Sequence, residues 1–185
     1  KTYFQNILEM TRVNADLLLN YMPLLNEFAD CLGLILCILC SQNDSIEIKN
    51  VIGLVNDPNI DCSVPVNILC SLLHFMQKPL HYHDAIQYSN FRKYFQNEFL
   101  GTLASCASDQ IQNGGNVQSM LSLLLECFVF CEAGSDIDTS LMLPYPNTFS
   151  IFYENEVFLD CLFKLCLSDI QEVINKTLLI LLYLL

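Results

Sequence analysis

Imidazole and carboxylate side chains that could complete a metal site lie close together before the middle of the chain. His81, His83 and Asp84 follow one another closely, and His74 lies one loop earlier. Such groups can fill the tetrahedral sphere of zinc. A His-x-His pair needs an extended backbone to converge on one ion, and no further ligand is fixed by the sequence. We therefore expect a solvated loop, with no bound metal or cofactor, and keep a metal site as the alternative.

Cysteine pairs are the second candidate for chemistry. Cys37 and Cys40 form a CxxC pattern, which occurs in redox centres and in zinc sites. Both lie late in a very apolar segment, where cysteine behaves as a small hydrophobic residue, so core packing is predicted. The chain has ten cysteines, and we expect free thiols without disulfides in a reducing compartment, cytoplasmic or nuclear. The glycosylation sequons at Asn43 and Asn175 are interpreted as chance matches.

Acidic residues dominate the charge of the chain. Glu132, Asp136 and Asp138 could ligate calcium, but their spacing does not fit the EF-hand loop, and a solvated acidic surface is the simpler interpretation. The formal net charge is −12, from 20 acidic and 8 basic residues. That field repels nucleic-acid phosphates and anionic membranes. The expected partner is another protein, basic or neutral, or the rest of the parent chain.

One short segment combines aromatic and basic side chains, which is typical of interaction hot spots. It comprises Phe91, Arg92, Lys93, Tyr94 and Phe95. The first four are predicted to contact a partner. The alternative is an amphipathic helix with the three aromatic residues inward and both charges outward.

A second candidate contact surface lies in the irregular segment 132–148. Met142 and Tyr145 either fold back as a lid or stand exposed as an interface. The chain contains no Walker loop, dinucleotide fingerprint, nucleophile elbow or HExxH motif. No catalytic residue is assigned, and we expect a protein that is not an enzyme.

The elements that must position these residues are predicted to be helices throughout. Apolar residues recur at helical spacing, and no useful stretch alternates with a period of two. The expected helical segments are 2–19, 24–40, about 45–55, 64–76, 85–105, 117–131, 149–167 and a terminal helix after Ser168. The second is apolar nearly all round, so we expect it to be packed on both sides. Its uninterrupted apolar stretch, 31–40, is about half as long as a bilayer span requires.

A recurrent block indicates a repeat architecture. In it, Leu54-Val55-Asn56-Asp57-Pro58-Asn59 precedes an apolar helix with Val66, Ile68, Leu69, Leu72 and Leu73. This block resembles an armadillo-type repeat, in which a short helix, an Asp/Asn/Pro turn and a longer apolar helix succeed one another. The resemblance implies a right-handed superhelix whose concave surface binds peptides or helices of other proteins. The asparagine ladder of the family is not recognisable here, so its binding residues are not transferred.

These observations lead to one prediction for the whole chain. We expect residues 1–185 to form a single all-α domain, an armadillo/HEAT-like helical repeat stack and α-solenoid fragment, excised from a larger protein. Its expected function is that of a non-enzymatic scaffold binding a partner peptide or helix. One alternative is a module for self-assembly or assembly with its parent chain, because the end of the sequence, 178–185, is apolar. The other is a metal-binding all-α protein.

Overall fold

The computed structural model describes residues 2–41, 46–77, 85–132 and 149–184. Every regular element in these ranges is a helix and no strand is present in them, which confirms the all-α class. The chain divides into two compact units, Lys1–His81 and Tyr82–Leu185. A single repeat domain over the whole length stays a prediction.

The N-terminal unit is built on a close crossing of two apolar helices. Its helices are α1 (Thr2–Val13), α2 (Ala15–Leu19), α3 (Met22–Ser41), α4 (Ile46–Val55) and α5 (Ser63–Met76). A Cβ atom added to Gly33 of α3 would lie 2.7 Å from the backbone nitrogen of Leu72 and 2.8 Å from Cβ of Ser71, both in α5. Only glycine allows this separation, so Gly33 sets how closely the two helices pack.

A polar turn fixes the approach to α5. Asp57 Oδ1 accepts hydrogen bonds from the backbone and side-chain amides of Asn59, both at 2.9 Å. Its other oxygen lies 3.1 Å from Nη2 of Arg12 on α1. These contacts hold the pKa of Asp57 below its ordinary value, first through the backbone amide of Asn59, then through its side chain, with Arg12 contributing least. The Asp/Asn/Pro turn predicted from the sequence is confirmed at this position.

One carboxylate of the N-terminal unit is fully buried. Glu47, in the first turn of α4, accepts a hydrogen bond from Asn50 Nδ2 at 3.0 Å through Oε2. Its Oε1 atom has no hydrogen-bond partner. The sequence has Asp44 three residues before Glu47, the spacing of a capping box, but Asp44 lies outside the described residues. The side chain of Glu47 packs inward and bonds to its own helix.

The C-terminal unit begins with a long helix that changes its winding. Its elements are α6 (Ala85–Phe95), a π-helical segment (Gln96–Leu100), α7 (Gly101–Gln112), α8 (Val117–Glu132), α9 (Ser150–Glu154), α10 (Glu156–Leu165) and α11 (Gln171–Leu184). Buried residues from α6 to α7 recur every four positions: Phe91, Phe95, Phe99, Leu103, Ala107 and Ile111. In an α-helix of 3.6 residues per turn, residues spaced four apart drift steadily around the helix axis. A π turn contains more residues, so each residue turns the chain by a smaller angle, and the buried residues return to one side of the helix.

A glycine turn separates α7 from α8. Gly114 has a positive φ of 73°, a conformation that suits glycine. Asn116 then caps α8, since its Oδ1 accepts a hydrogen bond from the backbone nitrogen of Ser119 at 3.2 Å. These two residues end one helix and begin the next within a few positions.

Aromatic rings fill much of the core of the C-terminal unit. The ring centre of Phe128 on α8 lies 5.2 Å from that of Phe149, 5.9 Å from that of Phe152 and 5.4 Å from that of Tyr183. The Tyr183 ring is stacked almost parallel to Phe128, which ties α11 to α8.

The cysteines behave as predicted, because all ten are free thiols. Burial raises the pKa of the Cys37 thiol to about 11, so this half of the CxxC pattern is a poor nucleophile at neutral pH. Among the described residues, α3 alone is long and apolar enough to cross a membrane, a test that the core helix of a globular protein also passes.

Candidate protein-interaction surfaces

The aromatic and basic segment lies on α6, and most of it faces inward. Phe91, Arg92 and Phe95 are buried, Tyr94 is half-buried and Lys93 is exposed. The amphipathic alternative, with both charges outward, is wrong for Arg92, whose exposed fraction is 3%, and right for Lys93. Only Lys93 and part of Tyr94 remain accessible to a partner.

Arg92 is buried because it holds the end of α8. Its Nη2 atom donates a hydrogen bond to the carbonyl oxygen of Phe130. The last carbonyls of a helix have no partner within that helix, and a cation there interacts favourably with the helix dipole. The guanidinium carbon lies 4.6 Å from the Phe130 ring centre and 5.7 Å from that of Tyr88, within the range of cation–π contacts. Nε and Nη1 have no hydrogen-bond partner.

Several sequence-predicted residues lie outside the described ranges, and their predicted roles stay predictions. They are His81, His83, Asp84, Asp136, Asp138, Met142 and Tyr145. Glu132 is the last residue of α8, and its side chain is also outside the description. Among the residues that are described, no group of three or more His, Cys, Asp or Glu side chains is arranged to hold a metal.

The N-terminal unit contains an apolar groove with a volume of about 380 Å³. It is lined by one face of α1, the following turn, α2 and one face of α3: Ile7, Met10, Thr11, Asn14, Leu18, Phe28, Cys31, Leu32 and Ile35. Thr11, Leu18 and Leu32 are buried and form its floor, whereas Met10, Asn14, Cys31 and Ile35 are exposed at its rim. An apolar cavity of about 150 Å³ holds a benzene molecule, so this groove has room for about two side chains of that size.

Two polar side chains line the groove beside the Cys31 thiol, and each donates a hydrogen bond to a nearby carbonyl. Thr11 Oγ1 donates a hydrogen bond to the carbonyl oxygen of Ile7 at 2.8 Å, and Asn14 Nδ2 donates one to that of Met10, also at 2.8 Å. Both bonds stay within the α1 region. The groove therefore offers a ligand apolar contact rather than polar chemistry.

The outer face of α3 continues the groove along the helix. Leu24, Ile35 and Ile38 are 40%, 37% and 39% exposed. The expectation that α3 is packed on both sides is wrong, because one face packs on α5 and this one meets solvent. Sequence analysis missed the groove because a helix that is apolar nearly all round does not reveal which face is covered.

A second group of exposed apolar residues lies in the C-terminal unit. Leu167, between α10 and α11, is 85% exposed, and Leu182 on α11 is 67% exposed. The exposed apolar residues of α10, of α11 and of the turn between them, here called the C-terminal apolar residues, are Val157, Phe163, Leu167, Ile170, Leu178, Leu179 and Leu182. Exposed apolar residues in such numbers are typical of a surface that another element covers.

Comparison of the chain with protein-family models, with curated proteins and with solved structures found no match. The residues and geometry described above are therefore the basis for assigning a function.

Proposed function

We propose that this protein is a non-enzymatic interaction scaffold, and that the groove between α1, α2 and α3 holds an apolar segment of a partner protein. The observation that carries the proposal is the groove itself, about 380 Å³ in volume and lined almost entirely by apolar side chains. Such a site binds by burying apolar surface, and its affinity comes from side chains that fill it.

The walls of the groove support a binding role because they are helical and already in place. A preformed site loses little conformational entropy when it binds, which favours affinity. Thr11 and Asn14 donate their hydrogen bonds to α1 carbonyls, and apart from the Cys31 thiol the rest of the lining is apolar. Contact, rather than reaction, is the use that this chemistry favours.

The proposal extends to the architecture. The Asp57 turn and the α4–α5 pair fit the short helix, turn and longer helix of an armadillo- or HEAT-like repeat. In such a stack, neighbouring units bury each other's apolar faces, and the surfaces left over bind other proteins. Ten cysteines without a disulfide support the further proposal that the protein works in a reducing compartment, the cytosol or the nucleus.

Capture from cell extract tests the proposal, with variants that put a charge into the groove. Met10→Glu and Ile35→Glu change rim residues that are exposed, so they disturb packing little. Ile86→Glu, at an exposed isoleucine of the C-terminal unit, is the matched control. A partner that the control retains and both groove variants lose supports the scaffold; a partner retained by all three variants contradicts it.

The C-terminal apolar residues favour a second candidate, an assembly module. Leu178 and Leu182 lie one turn apart on α11 and are both exposed, a pattern suited to a helix from a second copy or from the parent chain. Sedimentation velocity across a concentration series tests self-assembly, with Leu182→Lys as the variant. A monomer at all concentrations would count against self-assembly and leave the groove as the functional surface.

A further inference from the structure

One side of α10 combines exposed apolar side chains with opposite charges. Its exposed residues, here called the outer face of α10, are Glu156, Val157, Asp160, Phe163, Lys164 and Leu167. They are separated by steps of three and four residues, so they lie on the same side of a helix. Phe158 and Leu162 lie on the opposite side and are fully buried in the C-terminal unit. The helix therefore presents a complete amphipathic face to its surroundings.

Leu167 follows the last residue of α10 but still belongs to this face. The backbone nitrogen of Cys166 donates a hydrogen bond to the carbonyl oxygen of Leu162 at 3.1 Å, and that of Leu167 donates one to the carbonyl oxygen of Lys164 at 3.0 Å. The chain thus continues to wind beyond α10 and brings Leu167 to the side of Lys164. From Glu156 to Leu167 the outer face is about 18 Å long.

The two central charges of the outer face are not used within the C-terminal unit. Asp160 and Lys164 form no ion pair with each other or with any other residue in the described part of the chain. Their apolar neighbours Val157, Phe163 and Leu167 are 68%, 60% and 85% exposed. The face therefore offers a second molecule one anion and one cation among apolar side chains.

The order of these residues is symmetric about Leu162. Val157 lies five residues before Leu162 and Leu167 lies five residues after it. Asp160 lies two residues before Leu162 and Lys164 lies two residues after it. If a second copy of the helix runs antiparallel about a two-fold axis at Leu162, each Asp160 lies opposite a Lys164 and each Val157 lies opposite a Leu167. The outer face is therefore complementary to itself, which a two-fold interface requires.

The charges favour the antiparallel arrangement over its alternatives. Parallel pairing would place Asp160 opposite Asp160 and Lys164 opposite Lys164, and like charges repel each other. Antiparallel pairing forms two ion pairs and brings the two Phe163 rings together near the axis, where they can stack. The apolar segment 178–182 of α11 has no charged residue that would select an occupant in this way.

We propose that the protein forms a two-fold symmetric dimer in which the outer face of α10 packs antiparallel against the same face of a second copy. Asp160 of each copy pairs with Lys164 of the other, and the two Phe163 side chains pack at the centre. This inference rests on the second candidate function, self-assembly, and identifies the surface responsible. A face of this length buries less area than a standard interface, so the dimer is weak and depends on concentration.

Reversal of the two charges tests the pairing. Lys164→Asp makes both paired positions acidic, and Asp160→Lys makes both basic. Each variant should repel its own copy, whereas a chain with Lys164→Asp and a chain with Asp160→Lys complement each other. Both side chains are exposed, so the changes disturb the fold little. Lys93→Asp and Glu98→Lys, at exposed positions elsewhere in the C-terminal unit, make the same changes in net charge and are the matched controls.

Sedimentation velocity of the whole chain, from about 5 μM to about 500 μM, measures the dimer. Salt is kept at about 0.15 M, since each copy has a net charge of −12 and salt screens the overall repulsion. The unmodified chain should dimerise as its concentration rises. Each charge reversal should raise the dissociation constant at least about tenfold, because symmetry places two repulsive contacts in every dimer.

Restoration of the dimer is the decisive result. An equimolar mixture of the two reversed chains, and a single chain with both reversals, should dimerise within about threefold of the unmodified chain. Lys93→Asp and Glu98→Lys should each dimerise as the unmodified chain does. Phe163→Ala should weaken the dimer about tenfold. Ile86→Ala, at another exposed apolar residue of the C-terminal unit, should leave it unchanged.

Four results would overturn the inference. A monomer at every concentration would overturn both the α10 pairing and self-assembly, and would leave the groove to be judged by capture from extract. A dimer that Leu182→Ala abolishes and the charge reversals retain would keep self-assembly but move it to α11. Reversals that abolish the dimer without restoration on mixing would place the outer face against a different surface. Equal losses in the control variants would show that net charge, rather than the position of the charges, is responsible.

Discussion

Replacement of Gly33 by alanine should loosen the contact between α3 and α5. The new Cβ atom would lie 2.7 Å from the Leu72 nitrogen and 2.9 Å from the Ser71 carbonyl carbon. Ordinary contact begins at about 3.4 Å, so backbone atoms of α5 must move by about 0.7 Å. Such overpacking costs about 1–3 kcal/mol, and contact with backbone rather than a flexible side chain places this case in the upper half of that range.

The intrinsic preference of alanine for helix acts in the opposite direction. It stabilises a helix interior by about 1 kcal/mol relative to glycine. We therefore expect Gly33→Ala to lower the free energy of unfolding by about 1–2 kcal/mol. Gly53 on α4 is exposed, and a Cβ atom added there meets nothing within 4 Å. Gly53→Ala should raise the free energy of unfolding by about 0.5–1 kcal/mol, which makes it the matched control.

Urea unfolding followed by far-ultraviolet circular dichroism measures both variants, and the slope with denaturant should stay constant. Hydrogen exchange of α3 and α5 amides assigns any change to the N-terminal unit. If Gly33→Ala were as stable as the unmodified chain while Gly53→Ala gained stability, the two helices would not approach as closely as described, and the role given to Gly33 would be wrong.

Three further predictions concern single side chains. Arg92→Ala should lower the free energy of unfolding by about 3 kcal/mol, and Arg92→Met, which keeps the apolar volume, should lower it by less than half of that. Both are measured by urea unfolding, and equal losses of stability in the two variants would contradict a packing role for the Arg92 side chain. Asp57 has a folded-state pKa below its ordinary value of 3.8, through hydrogen bonds from Asn59, so its contribution to stability is present above about pH 3.8 and lost as the pH falls through the folded-state pKa. NMR titration of Asp57 checks this, and a pKa at or above 3.8 would refute it. Cys31 should be alkylated in the native protein and Cys37, with its pKa raised to about 11, only after unfolding; mass spectrometry that found both modified at one rate would disprove the burial of Cys37.

Helix positions were largely predictable from the sequence. The segment expected at 24–40 forms α3 (Met22–Ser41), and that expected at 64–76 forms α5 (Ser63–Met76). The one expected at 117–131 forms α8 (Val117–Glu132). Apolar periodicity and the Asn116 cap are local properties, and local sequence determines them. The observed helix boundaries differ from the predicted ones where a turn interrupts a segment. Asn155 divides the segment predicted at 149–167, and its side chain caps α10.

The candidate site was much less predictable, because it depends on which faces of the helices pack against each other in the folded chain. A charged residue beside aromatic ones normally faces water, yet Arg92 is buried, since the carbonyl of Phe130, 38 residues away, needs a donor. Phe28, Cys31 and Ile35, which line the groove, follow helical spacing in the sequence, but the same helix has equally apolar residues on the face that packs against α5. Only tertiary structure distinguishes a helix face that is covered from one that is open to solvent.

The π-helical segment has a consequence for insertions and deletions in this part of the chain. A π-helical turn contains one residue more than an α-helical turn, so the chain holds an extra residue here while the buried residues of α6 and α7 stay on one side of the helix. Loss of a single residue between Gln96 and Leu100 would convert it to regular α-helix and leave both flanking faces oriented as before. The same loss within α8 would rotate everything beyond it by about 100°. Length variation between related sequences is therefore expected at the π-helical segment rather than in its neighbours.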